Sequence, residues 1–218
     1  MMLGSMSSAF VLDYGLGNLY SLSCALLKSG FKKVEFISNP ESLKKVDNLF
    51  LPGVGAFGKA MNLLKEKHLD EAIKIHVKSG KPLLGICLGM QLLSNESYEF
   101  GKRVGLGIIS GEVKKIEYPN AHISSINRPT IGWFNTKVSN TSHFMSDKIN
   151  NKRFYYIHSY QFISNDKFDM MGDYDLYRNK ILAFFFKDNI GAVQFHPEKS
   201  GKSGLNFLIG YRESIKKN

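Results

Sequence analysis

Cysteine is scarce in this chain, with only Cys24 and Cys87 among 218 residues. Two thiols make no disulfide framework and suit a reducing compartment, the cytoplasm. An isolated cysteine there is either a small buried hydrophobe or a reactive thiol. Long apolar runs are also lacking. A membrane-spanning helix needs roughly 20 such residues, and Asp, Glu, Lys or Arg interrupts every candidate, so no membrane association is expected. No basic segment precedes the short apolar stretch near the start, and Gly4-Ser5-Met6 resembles a tag remnant, so residues 1–8 are set aside. Metal-ligand spacing is missing as well. His68, His76, His122, His143, His158 and His196 are not paired with cysteine or carboxylate, and His68 and His76 read as surface residues. Gly15-Leu16-Gly17-Asn18 has no third glycine of a dinucleotide fingerprint, and the glycine turn at Gly53 has no Walker lysine. Neither a cofactor nor a metal is expected.

What the chain does have is positive charge, 29 Lys and Arg against 19 Asp and Glu, a net +10. The basic residues are scattered in pairs such as Lys32-Lys33, Lys114-Lys115 and Lys216-Lys217, with no aromatic-interleaved block. A solvated surface fits this pattern better than a nucleic-acid interface. With 43% hydrophobic residues and this length, folding buries roughly 70 to 75% of the unfolded chain's surface, enough for a large core without staples. The 16 phenylalanines and 10 tyrosines read as part of that core.

The first half alternates short aliphatic runs with helical periodicity, the sign of βαβ units and a mostly parallel sheet. Strands are expected at residues 9–13, 34–37, 48–51 and 82–86, and helices at 18–29, 56–67 and 69–78 with a break at His68. Residues 82–86 lack alternation and read as a strand covered on both faces. After residue 98 the pieces at 109–117, 132–138, 154–157, 181–186 and 192–195 look antiparallel. Residues 139–153 read as irregular, 165–179 as a hairpin or long loop, and 205–215 as a closing helix. No linker or repeat divides the chain, so residues 9–215 are expected to form one domain.

Chemistry concentrates at two strand ends. In Gly85-Ile86-Cys87-Leu88-Gly89-Met90-Gln91 a buried strand runs straight into a helix through a cysteine flanked by glycines, the plan of a nucleophile elbow. A helix N-terminus favours thiolate, and the Leu88 N–H would face an oxyanion. A buried inert cysteine is the competing reading of Cys87 alone. Far along the chain, Gln194-Phe195-His196-Pro197-Glu198 again ends an apolar strand. His196 can serve as base and acid and Glu198 as its orienting carboxylate, with Pro197 holding the pair rigid. A third turn, Pro52-Gly53-Val54-Gly55, can bring backbone N–H groups close to a substrate carbonyl. The elbow by itself also fits a cysteine peptidase, and the whole fits a non-catalytic scaffold on the same fold.

Together with Asp13-Tyr14-Gly15-Leu16-Gly17-Asn18, Gly105-Leu106-Gly107 and His158-Ser159-Tyr160, these motifs resemble the class I glutamine amidotransferase family from about residue 9 to 212. The resemblance implies a three-layer α/β sandwich with a central, mostly parallel, flavodoxin-like sheet. It implies that Cys87, His196 and Glu198 form a catalytic triad that releases ammonia from L-glutamine. By the same resemblance Gly53, Val54 and Leu88 meet the oxyanion, and Gly55, Gln91, Glu99, Ser159 and Tyr160 hold glutamine. Asn18, Trp133, Tyr156 and Lys199 would contact a synthase partner. Length points the same way, since a glutaminase of this size leaves no domain for an ammonia acceptor. The implied partner is a cyclase (β/α)8-barrel subunit in a heterodimer of histidine biosynthesis. Where the family usually has Pro-His-Met/Ile-Gly-Trp-Asn, this chain has Pro129-Thr130-Ile131-Gly132-Trp133-Phe134-Asn135. A paralogue feeding a nucleotide-sugar or glycan precursor therefore stands as the alternative.

Overall fold

The computed structural model describes residues 8–118, 129–139, 143–177 and 179–215. Of the set-aside residues 1–8, the first seven lie outside them, as do His122 and the Lys216-Lys217 pair, whereas Ser8 belongs to the first strand. Strand β1 (Ser8–Leu12) leads into α1 (Leu19–Lys28), which begins where the Asn18 side chain accepts the Ser21 N–H and ends before Gly30. Next come β2 (Lys33–Ile37), α2 (Pro40–Leu43) and β3 (Leu49–Leu51). Helices α3 (Phe57–Glu66) and α4 (Leu69–Lys78) are separated where the periodicity breaks, with His68 left-handed at φ 54°. Strand β4 (Leu83–Ile86) then enters the short α5 (Leu88–Leu92).

The second half contains β5 (Glu96–Ser97), β6 (Arg103–Val104), β7 (Glu112–Lys115), β8 (Thr130–Val138) and α6 (Ser146–Ile149). It continues with β9 (Lys152–His158), β10 (Tyr160–Ile163), β11 (Met170–Leu176), β12 (Asn179–Lys187) and β13 (Ile190–Val193). A 3₁₀ turn (Pro197–Lys199) and α7 (Gly201–Ser214) follow.

Nine strands form the main sheet in the order β2-β1-β3-β4-β13-β12-β11-β8-β9. The five from β2 to β13 pair in parallel and the rest antiparallel. The parallel end has the flavodoxin-like order 2-1-3-4, closed by the last strand of the chain. A smaller sheet runs β10-β7-β5-β6. Leu49, Phe50, Leu51, Leu83 and Leu84 are all fully buried, and alternate residues face opposite layers. Phe50 and Leu84 pack with Leu22 and Leu26 of α1 and Phe207 and Tyr211 of α7. Leu51 and Leu83 pack with Ala60 and Leu64 of α3 and Ile73 of α4. That division is the expected three-layer sandwich, and it explains why these strands carry no polar alternation.

Several local expectations need correction. His76 is not a surface residue. It is buried, with Nε2 3.1 Å from the Pro82 carbonyl oxygen, and burial lowers its pKa. For 165–179 the hairpin alternative holds and the long loop does not: strand β11 pairs with β12, with Met170, Gly172, Tyr174 and Leu176 inward and Asp173 and Asp175 outward. Residues 139–153, expected irregular, include helix α6, and β10 was not foreseen.

Candidate active site

Four segments leave the carboxyl ends of the parallel strands along one edge: residues 13–18 after β1, 52–56 after β3, Cys87 after β4 and 194–198 after β13. An open α/β sheet places its ligands at that edge. The Cys87 backbone sits at φ 55°, ψ −110°, a conformation that costs a non-glycine residue on the order of 1–3 kcal/mol and is kept only where the surroundings enforce it. Enforcement comes from the Cys87 N–H, which donates to Val193 O at 2.7 Å and ties the elbow to β13. Close packing beneath adds to it. A methyl group on Gly53 would lie 2.6 Å from the Tyr14 hydroxyl and 2.9 Å from Leu88 Cβ, so the β3 turn sits against the elbow with no room for a side chain of its own. The Tyr14 hydroxyl donates to Pro52 O at 3.0 Å and fixes the start of that turn. Leu88 opens α5, so its N–H has no acceptor within the helix.

His196 Nδ1 lies 2.8 Å from Glu198 Oε1, with both side chains almost wholly buried. The backbone around them is anchored from β9: His196 N–H donates to Tyr155 O, Tyr155 N–H to Ser200 Oγ, and Ser200 Oγ–H to His196 O. Burial alone would lower the His196 pKa, but the neighbouring Cys87 sulfur and the Glu198 carboxylate outweigh it and hold the imidazole above its ordinary value. Its Nε2 is buried without a hydrogen-bond partner. A ring oriented at one nitrogen and free at the other, beside a thiol, is equipped to take a proton and return it.

These groups open on a cavity of about 690 Å³. Cys87, Leu88 and His196 line it with Val54, Gly55, Gln91, Glu99, Ser159 and Tyr160, and Asn18 and Lys199 stand at its wall. Gly53 lies just behind, against a small recess it shares with Val54, His196 and Glu198. Glu99 Oε2 accepts the Phe57 N–H at 2.6 Å, capping α3. Burial raises its pKa, and that hydrogen bond partly offsets the rise. Trp133 is exposed outside the cavity, its ring 6.0 Å from that of Tyr155, over which the Lys199 ammonium sits.

Tyr156 departs from its expected place. It is fully buried, its hydroxyl 2.6 Å from Thr136 Oγ1 and its ring against Tyr174 and Phe195, because alternation along β9 turns it inward. It cannot contact a partner. The same alternation on β8 turns Thr130 and Phe134 inward and Trp133 outward, so the departure from the family pattern is met largely by packing. Phe134 rests on Tyr156 and Tyr174, and Thr130 Oγ1 is 2.7 Å from the Tyr118 hydroxyl.

Three residues of the site were given no role from sequence: Tyr14, His158 and Gln194. Each stands inside a motif already singled out, a few residues at most from one that drew attention. Among the described residues no group of three or more His, Cys, Asp or Glu side chains is placed to hold a metal ion, and no helix is long and apolar enough to cross a membrane.

The imidazole glycerol phosphate synthase subunit HisH of Caldanaerobacter subterraneus subsp. tengcongensis is 40% identical over 206 residues, covering 94% of this chain and 98% of that one. The HisH subunit of Lactococcus lactis subsp. lactis is 42% identical over 214 residues, covering 96% and 100%. Among solved structures, PurLQS from Thermotoga maritima superposes with a TM-score of 0.72 at 16% identity, covering 95% and 98%. A crystal structure described as a glutamine amidotransferase gives 0.71 at 17% identity, covering 96% and 99%. These two likenesses concern the fold. The glutamine amidotransferase class-I family matches residues 10–209, and this chain belongs to that family.

Proposed function

We propose that residues 9–215 form one glutaminase domain that hydrolyses L-glutamine to glutamate and ammonia and serves as the glutaminase subunit of an imidazole glycerol phosphate synthase. The observation that carries the reading is the meeting of a strained Cys87 with the His196–Glu198 pair at one 690 Å³ cavity. Relatives about 40% identical over nearly their whole length bear the name of that synthase's subunit.

In the reaction, Cys87 Sγ attacks the carboxamide carbon of glutamine, and the oxyanion is met by the Leu88 N–H and the backbone at Gly53 and Val54. His196, oriented by Glu198, gives its proton to the departing nitrogen, and ammonia leaves a glutamyl thioester. His196 then takes a proton from water as it attacks the thioester carbon, and glutamate is released as the thiol is restored. Gly55, Gln91, Glu99, Ser159 and Tyr160 hold the amino acid. Glu99 is the acidic group suited to its ammonium.

The ammonia passes to a cyclase (β/α)8-barrel subunit in a cytoplasmic heterodimer, docked over Asn18, Trp133 and Lys199. The test is glutamate release from glutamine by the purified chain, alone and with the cyclase barrel and an acceptor-site ligand. Strong stimulation by barrel and ligand, abolished by Cys87→Ala with the far-UV spectrum kept, is expected. Absence of stimulation with Cys87 still labelled by a glutamine-analogue electrophile would redirect the ammonia to another acceptor. Hydrolysis surviving in Cys87→Ala would remove the mechanism.

A further inference from the structure

A chain of buried hydrogen bonds reaches the nucleophile from the interior of the antiparallel strands. The Tyr174 hydroxyl is 2.8 Å from His158 Nε2, and His158 Nδ1 is 2.8 Å from the Tyr160 carbonyl oxygen. Gln91 Nε2 donates to the same carbonyl at 2.9 Å and to Gln194 Oε1 at 2.9 Å. Gln194 Nε2 lies 3.7 Å from Cys87 Sγ, within reach of an N–H···S bond. Tyr174 and Gln194 are wholly buried, and Gln91 and His158 nearly so.

The direction of every link follows from one fixed point. A backbone carbonyl only accepts, so His158 must carry its proton on Nδ1, which leaves Nε2 to accept from Tyr174. The amide of Gln91 must likewise present its NH₂ to Tyr160, and its second N–H then meets Gln194. Gln194 must therefore turn its oxygen to Gln91 and its own NH₂ to the sulfur. Neither glutamine can flip without placing two donors or two acceptors face to face in a dry interior.

Resting on the glutaminase reading, we propose that Gln194 is a positioning residue for the nucleophile: its N–H, aimed by this chain from Tyr174, holds the Cys87 sulfur in place for attack. The other titratable groups facing that sulfur are His196, with Glu198 behind it, and Tyr14, while His158 faces His196. A buried donor to an anionic sulfur belongs to the stronger class of hydrogen bond.

Gln194→Glu keeps the shape and the acceptor for Gln91 but replaces the donor at the sulfur by a carboxylate oxygen. Gln194→Leu removes the donor without adding charge. In a Cys24→Ser background, the rate of Cys87 alkylation by iodoacetamide is followed at pH 7 on the full chain. Both variants are expected to slow alkylation about tenfold, with kcat for glutamine falling about tenfold and KM changing little. An unchanged alkylation rate in either folded variant overturns the proposal. So does nitrogen NMR of the unaltered protein if His158 is protonated on Nε2, a measurement independent of whether either variant folds. Alkylation needs no glutamine. Slowed alkylation of the variants in a chain that never hydrolyses glutamine would sink the glutaminase reading alone, and an unchanged alkylation rate in an active one would sink this proposal alone.

Discussion

The α-carbon of Gly89 faces the carbonyl oxygen of Leu51 so closely that a methyl group there would lie 1.8 Å from it. The elbow helix is thus seated directly on the end of β3, backbone against backbone. Gly89→Ala must push the elbow and the β3 turn apart, and it should destabilise the fold by upward of ~4 kcal/mol or prevent folding. Denaturant titration measures this; a loss below ~1 kcal/mol would mean that the contact relaxes freely.

Tyr14 tests the other side of the same junction. Its hydroxyl holds the Pro52 carbonyl, and burial raises its pKa so far that it remains a donor at every working pH. Tyr14→Phe should cost about 1 kcal/mol of stability and lower kcat more than it raises KM, because it frees the turn that meets the oxyanion. Equal kinetics for variant and parent would show that the turn is held by other contacts.

Glu99 has two duties that can be separated. As the cap on α3 it contributes about 1 kcal/mol, and as a carboxylate in the cavity it can pair with a substrate ammonium. Glu99→Gln keeps an acceptor for the Phe57 N–H, so its midpoint of unfolding should fall only slightly. Its KM for glutamine should rise about tenfold or more with kcat less affected. A KM within error of the parent would exclude the pairing.

The buried histidines set a pH optimum for stability. Burial pushes His158 down to about 4 and lowers His76, so below the ordinary 6.5 the unfolded chain takes up protons that the folded chain refuses. Their stabilisation is complete above pH 6.5 and drains as pH falls through that value, by up to about 1 kcal/mol per pH unit for each. His196 has the opposite sign. Its raised folded pKa makes its contribution complete below 6.5, and that contribution is lost as pH climbs toward the folded value. The melting temperature should peak near pH 6.5, and His158→Gln should flatten the acid limb. A melting temperature still rising between pH 7 and 9 would contradict the role given to His196.

Much of the parallel half was legible because local signals agreed with the tertiary result. Gly30, the break at His68 and the unalternating run at 83–86 each reflect a cap, a left-handed residue or a strand covered on both faces. The meeting of Cys87 with His196 and Glu198 was legible because two apolar strands end in chemistry-bearing residues. Tyr156 was misplaced because a resemblance carries positions and not facing, and only the register of β9 decides which way its ring turns. Strand β11 was obscured by Gly172 and two aspartates, whose outward placement depends on pairing with β12. His76 was missed because nothing in its helix announces the Pro82 carbonyl waiting above it.

Strand β13 enters the main sheet between β4 and β12, although it lies late in the chain. Until it is inserted, Cys87 has neither the Val193 carbonyl that strains its backbone nor the imidazole beside it. A chain emerging from the ribosome lacks the assembled site for most of its synthesis. The site is completed late, when one four-residue strand closes the gap. A ribosome-arrested chain ending before residue 190 should therefore resist glutamine-analogue labelling even with the rest of its parallel strands fully exposed to solvent and free to pair.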